Sequence, residues 1–315
     1  MTRVQEIYPD SRVTLREVGL RDGLQLVKTF PSTEAKQRWV REEYAAGVRH
    51  FEVGSFLPAK IFPQFADVRD IIGTVAALPG AHGIALVLNE RGANEALASG
   101  VPEIASVVSA TEEHSQANAK RSREAAIGNL RRLCELRDAS AHKPVVHGAI
   151  SMALGCSITG PVDPNEVLRL VEKCLEAGVD AVGIADTVGH AGPKQVGDLT
   201  RAAVKLAGTR PICVHLHDTR GMGIANASAA LDEGASILDG SLGGLGGCPF
   251  APGATGNVVF EDLVFLCERK GFATGIDIEK LVKVRAILRA EMPDEVLYGG
   301  LARAGLPRGT SARAA

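Results

Sequence analysis

Residues 214–223 read VHLHDTRGMG, which sets two histidines one residue apart at the end of an apolar run, with an acid next. If that run is a β-strand, alternate side chains share a face, so His215 and His217 project together and Leu216 projects away. Two imidazoles placed this way can grip one metal ion, and a carboxylate within reach would complete a site for a divalent cation. Histidines at a strand end can also do no more than hydrogen-bond their neighbours, so the surroundings must decide. A second stretch, GGLGGCPFAPGATGN (243–257), sets Cys248 among glycines. Such a segment makes poor core, lets backbone approach a ligand or move as a lid, and suits a reactive thiol better than a packed one.

The elements that would position these groups alternate along the chain. Short β-branched runs occur at VTLREV (13–18), RHFEV (49–53), GIALVL (83–88), EIASVV (103–108), VVHGAISM (145–152), AVGIA (181–185), ICVHLH (212–217) and SILDGS (236–241). Between them lie amphipathic segments with helix signals. In STEAKQRWVREEYAAG, Ser32 or Thr33 can cap and Gly47 can terminate, and in DPNEVLRLVEKCLEAG, Asp163 precedes Pro164 at the first turn. Eight strand-helix units predict an α/β fold, a closed (β/α)8 TIM barrel over residues 10 to 275. No GxGxxG turn follows the first strand, as an open dinucleotide-binding sheet would require. Residues 276 to 315 read as a C-terminal extension of one apolar helix, a glycine-rich segment and a frayed tail.

Active sites of such barrels lie at the C-terminal ends of the strands. Arg21, Asp22, Glu52, Ser55, Asn89, Ser109, Ser151, Asp186, His215, His217 and the loop to Asn257 all fall there. Asp22 is then expected to join His215 and His217 around one cation.

Composition removes other classes. A net charge of −2 gives no basic field for nucleic acid, and no apolar run approaches the ~20 residues of a membrane span. The start, MTRVQEIYPD, lacks the apolar core of a signal peptide, and the six cysteines form no CxxC pair, so reduced thiols in a cytoplasm are expected. A homo-oligomer is compatible with the apolar added helix.

The stretches EVGLRDGLQ (17–25), FEVGSF (51–56) with Lys60, ADTVG (185–189), VHLHDTRG (214–221) and GLGGCPFAPGATGN (244–257) together resemble the hydroxymethylglutaryl-CoA lyase family of metal-dependent barrels. The resemblance implies an acyl-CoA substrate and Mg²⁺ or Mn²⁺ held by Asp22, His215, His217 and Asn257. It implies retro-Claisen cleavage of 3-hydroxy-3-methylglutaryl-CoA to acetyl-CoA and acetoacetate, with Arg21, Glu52, Asp186 and Cys248 around the substrate. Arg21 would stabilise the enolate oxygen, and Glu52 would orient Arg21 or the base network. Asp186 or His215 would be the base, and Cys248 would protonate the departing carbanion or seal the site. Gln25, Ser55, Asn89 and Ile158 are the expected substrate contacts.

The chain departs from the family's pattern where Leu26 and Val27 replace Asn-Glu, and where CSITG (156–160) replaces Cys-Pro-Tyr-Glu-Gly. Leu88 stands for a proline, and His114 for an aromatic. Polar pocket groups thus become apolar, which makes citramalyl-CoA or a longer-branched 3-hydroxyglutaryl-CoA alternative substrates. A condensing acyltransferase of the isopropylmalate synthase type fits less well, because such enzymes append a long region and here only residues 276–315 follow the barrel. A non-catalytic acyl-CoA-binding barrel would have no use for Cys248 and Asp186 together.

Overall fold

A computed structural model of the chain describes residues 3–9, 13–246 and 256–307. Eight parallel strands close on themselves in sequence order: β1 (Thr14–Glu17), β2 (His50–Ser55), β3 (His82–Val87), β4 (Glu103–Ser109), β5 (Val145–Ser151), β6 (Ala181–Asp186), β7 (Ile212–Leu216) and β8 (Ile237–Gly240). The seam is a full ladder, running from Thr14 opposite Ile237 to Glu17 opposite Gly240. All eight expected strands are present within two residues of their expected ends. β2 runs two residues further, to Ser55, through a register shift between Glu52 and Gly54.

The helices in chain order are α1 (Arg3–Ile7), α2 (Thr33–Ala45), α3 (Val68–Ala76), α4 (Glu90–Ser99), α5 (Glu112–Ala119), α6 (Arg123–Ala139), α7 (Pro164–Glu176), α8 (Pro193–Ala207), α9 (Gly223–Asp232), α10 (Phe260–Arg269), α11 (Ile278–Glu291) and α12 (Gly300–Ala304). Ser32, not Thr33, caps α2 by accepting from Ala35 N, and Asp163 caps α7. Gly47 follows α2 at φ 110°, where its Cβ would meet Gly275 O at 2.2 Å, so only glycine fits.

The main apolar core lies between the strands and the helices, with Trp39, Phe51 and Phe260 fully buried in it. The added helix α11 belongs to that layer. Ile278, Leu281, Val284, Ile287 and Leu288 are buried within the chain, so the apolar face expected to suit a homo-oligomer is spent on the barrel's own shell. At the other end of the barrel, Tyr8 closes the floor against Cys213 and Ile237. Among the described residues no helix is long and apolar enough to cross a membrane.

Candidate metal and acyl-CoA site

The chain after β1 does not enter a helix directly. It makes one wide turn, Gly19–Gly23, in which the amides of Arg21, Asp22 and Gly23 all converge on Val18 O. Gly19 is required there, because a Cβ would lie 2.5 Å from Glu17 Oε1 and 2.7 Å from Trp39. The turn aims Arg21 and Asp22 over the barrel mouth. Arg21 Nη1 donates to Asp22 Oδ1 at 2.5 Å and to Gln25 Oε1 at 3.1 Å, while Nε pairs with Glu52 Oε1 at 2.8 Å. Two hydrogen bonds and one ion pair thus fix the guanidinium.

Asp22, His215 and His217 meet as expected, each offering one ligand atom within 4.8 Å of the others. Asp22 Oδ2 lies 3.4 Å from His217 Nε2 and 3.8 Å from His215 Nε2, and the two ring nitrogens are 3.2 Å apart. β7 stops at Leu216, one residue short of the expected end. His217 is held instead by an isolated antiparallel bridge to Asn257, flanked by Val258 N on Leu216 O and Asp218 N on Gly256 O. Asn257 Nδ2 donates to Asp22 Oδ2 at 2.7 Å and to Leu245 O at 3.0 Å. Gly246 permits this approach, since a Cβ there would lie 2.5 Å from Asn257 Nδ2.

Burial alone would raise the Asp22 carboxyl, but the Arg21 guanidinium and the two imidazoles hold it well below its ordinary range. Burial disfavours a charged His215, yet its bond to Asp239 and the nearby Asp22 charge lift it above the ordinary value. Glu52 is raised, chiefly by burial, against the pull of Arg21.

The donor set fits a divalent cation. A carboxylate and two imidazole nitrogens converge, and Asn257 Oδ1 is buried beside them with no hydrogen-bond partner.

The other expected residues divide. Gln25 is in the Arg21 cluster, and Ser55 Oγ at the end of β2 is buried without a partner. Ile158 is half exposed in the turn after β5. Asn89 is exposed and its side chain caps α4 by accepting from Gly92 N, which gives it a structural task the sequence reading did not assign. Asp186 faces away from the axis. Gly183 faces inward, since its Cβ would meet His147 Nε2 at 2.7 Å, so strand alternation turns Asp186 toward the helices. Its two oxygens accept from His190 N and Ala191 N, at 2.8 and 2.9 Å, which leaves it poorly placed as a base at the mouth. Cys248 lies outside the described residues.

Sequence reasoning missed Asp239 and Arg16. Asp239 Oδ2 lies 3.0 Å from His215 Nδ1, and Arg16 holds Asp239 with two nitrogens. The available signal was a charge inside an apolar strand at a position of inward parity. Also missed was a buried acid cluster behind the turn, Glu17, Glu43 and Glu261. Glu17 Oε1 accepts from Gly19 N and Leu242 N, tying the turn to the β8 exit. Burial pushes the Glu17 carboxyl up to about 8 against those two amides, and pushes Glu43 up as well. Arg285 of α11 pairs with Glu261 at 2.7 Å, and Glu261 accepts from Gly243 N.

Comparison with known proteins agrees with this geometry. A model of the family described as HMGL-like matches residues 12–288. The hydroxymethylglutaryl-CoA lyase of Bacillus subtilis is 34% identical over 285 residues, 90% of this chain and 94% of that one. A Pseudomonas aeruginosa protein named 3-hydroxy-3-isohexenylglutaryl-CoA/hydroxy-methylglutaryl-CoA lyase is 38% identical over 272 residues, covering 86% of this chain and 90% of its own. The structure of an HMG-CoA lyase from Acinetobacter baumannii in complex with coenzyme A and 3-methylmalate superposes with a TM-score of 0.88 at 31% identity, covering 99% of each chain. With its barrel, its Arg21-Asp22 turn and its paired histidines at the exit of β7, this chain belongs to the HMGL-like family.

Proposed function

We propose that this chain is a divalent-metal-dependent carbon–carbon lyase that cleaves 3-hydroxy-3-methylglutaryl-CoA to acetyl-CoA and acetoacetate. The observation that carries the reading is the convergence of Asp22, His215 and His217 at the mouth where Glu52 and Gln25 fix Arg21. Asp22, His215, His217 and Asn257 would hold the cation, Mg²⁺ or Mn²⁺. When bound, such an ion polarises the substrate oxygens and makes the tertiary hydroxyl a stronger acid.

The residues of the chain do the rest. The hydroxyl proton passes to a base as the C2–C3 bond breaks, and the bonding pair becomes the enolate of acetyl-CoA. Arg21 Nη1 is committed to Asp22 and Gln25 and Nε lies in the ion pair with Glu52, which leaves Nη2 as the donor for the developing enolate oxygen. Of the two expected bases, His215 is the one at the mouth. Its Nδ1 is engaged by Asp239 and its Nε2 is the atom it offers to the cation, so while the ion is held His215 acts as a ligand and the hydroxyl proton goes to a base other than this nitrogen. Protonation of the enolate carbon completes acetyl-CoA, a step assigned here to Cys248. The loop that carries this residue begins and ends beside Asn257.

A longer-branched 3-hydroxyglutaryl-CoA is a second substrate reading. Ile158 and Leu26 are apolar and exposed on the same rim, and the Pseudomonas aeruginosa relative is named for activity on such a compound as well as on the methyl one. A cytoplasmic location is supported by the five described cysteines, none of which is in a disulfide. Acetyl-CoA release from a panel of 3-hydroxyacyl-CoAs, with EDTA and with Mg²⁺ or Mn²⁺ restored, tests the proposal. Release should need the metal, and absence of product from every compound would overturn it.

A further inference from the structure

The axis of this barrel carries charge where branched apolar layers would be expected. Arg16 of β1, Glu103 of β4 and Asp239 of β8 are at most 5% exposed and all face inward. Arg16 donates Nε to Asp239 Oδ1 at 2.6 Å and Nη2 to Asp239 Oδ2 at 2.7 Å. The same Oδ2 lies 3.0 Å from His215 Nδ1. Toward the floor, Arg16 Nη1 lies 3.0 Å from His147 Nδ1 and 3.6 Å from Glu103 Oε1, and Glu103 Oε2 accepts from Tyr8 at 2.5 Å. A continuous polar line therefore joins the barrel floor to an imidazole of the metal cluster.

Burying these charges is unfavourable unless each is paired, and well-packed apolar residues would fill the space at least as stably. What an apolar filling could not do is choose a tautomer for His215. An ionised Asp239 is acceptor-only, so His215 must carry its proton on Nδ1 and present the Nε2 lone pair toward Asp22 and His217. The two-pronged grip of Arg16 fixes the plane of that carboxylate, and with it the plane of the ring.

We infer that Asp239 and Arg16 are positioning residues for the metal cluster. Asp239 sets the tautomer and tilt of His215, and Arg16, which touches no metal-ligating residue, acts through Asp239. This rests on the metal reading above. The expected size follows from the loss of a partner that orients a ligating histidine, which lowers metal affinity by about 10–100-fold.

The test is direct metal binding to purified apoprotein, with free Mn²⁺ read by electron paramagnetic resonance and ligation read from the visible spectrum of the Co²⁺ form. Asp239→Asn keeps the volume but loses the charge and turns one of the two acceptor oxygens into an NH2 donor, which must face either Arg16 Nε or the side shared by Arg16 Nη2 and His215 Nδ1. It should weaken Mn²⁺ binding by about tenfold or more and shift the Co²⁺ bands. Arg16→Met should do the same in smaller measure. Should that variant not fold, Arg16→Lys, which keeps the charge without the fork, takes its place and should also lose affinity. Tyr8→Phe removes a hydroxyl from the far end of the same line and should leave Mn²⁺ affinity at the wild-type level. A folded Asp239→Asn protein with wild-type Mn²⁺ affinity and Co²⁺ spectrum would overturn the inference. So would a loss in Tyr8→Phe equal to that in the Arg16 variant, which would mean general loosening of the barrel. A wild type that binds Mn²⁺ but cleaves no acyl-CoA would sink the lyase reading and leave this one standing, whereas a wild type that binds no Mn²⁺ would sink both.

Discussion

Asn257 stands opposite His217 across an isolated antiparallel bridge, so the loop returning from β8 delivers its amide to the exit of the strand that carries His215. The cluster thereby gains a group from a part of the chain 40 residues beyond His217. His217→Ala should remove one imidazole without disturbing β7, which ends at Leu216. Divalent-metal affinity and lyase activity should fall together by an order of magnitude or more, as elemental analysis of the dialysed protein will show. Unchanged metal content in the variant would mean that His217 is not a ligand.

Arg21 is held by Glu52, Asp22 and Gln25, so its replacement should act on the reaction more than on the fold. Arg21→Met should lower kcat by about 10²–10³-fold, or about 2.7–4 kcal/mol of transition-state stabilisation, with a smaller rise in KM. Metal stoichiometry should remain that of the wild type. Steady-state kinetics with normal turnover would reduce Arg21 to an ion-pair partner of Glu52.

Substrate choice should turn on the rim. Ile158 is half exposed after β5, where a tyrosine would bring a hydroxyl to the mouth. A buried methylene contributes about 0.8 kcal/mol, roughly fourfold in affinity, so an apolar rim favours longer branches by small steps. Ile158→Tyr should therefore raise the ratio of kcat/KM for 3-hydroxy-3-methylglutaryl-CoA over an isohexenyl analogue. A ratio that does not move in competition assays would place the branch elsewhere.

Alkaline pH should weaken the fold through the acid cluster. Glu17 is pushed up to about 8 by burial, so the folded chain keeps its proton at pH values where the unfolded chain has released it. The stability linked to that proton is full below the ordinary carboxyl range and is lost as pH rises toward 8. Tm should fall between about pH 5 and about pH 8, and Glu17→Gln, which retains an acceptor for Gly19 N and Leu242 N, should flatten that slope. Thermal scans of the two proteins with parallel slopes would exclude Glu17 as the titrating group.

The barrel was legible in the sequence because each strand is a short apolar run between capped helices, and VTLREV or SILDGS can be read within two residues of its true ends. The meeting of Asp22 with the two histidines was legible because His215 and His217 share a parity and Asp22 sits at a strand exit. Asp186 was read from the same kind of position. It lies at a strand exit too, but one residue out of phase with the inward Ala185, and only the register of β6 reveals that. Asn89 looked like a pocket residue, although an asparagine ahead of a helix is as well explained by a cap. Arg16 and Asp239 went unread, since they become partners only when β1 closes on β8. Their pairing is a property of ring closure, and no local pattern encodes it.

Tyr298 N donates to Gly243 O, and Arg285 grips Glu261, which in turn holds Gly243 N. In a chain made from its N-terminus, Asp22 emerges early and both histidines follow about two-thirds of the way along, yet the segment that braces the β8 exit is made near the end. A chain stopped before residue 285 would keep all eight strands and both histidines but lose the Arg285 and Tyr298 braces, leaving the β8 exit unsecured.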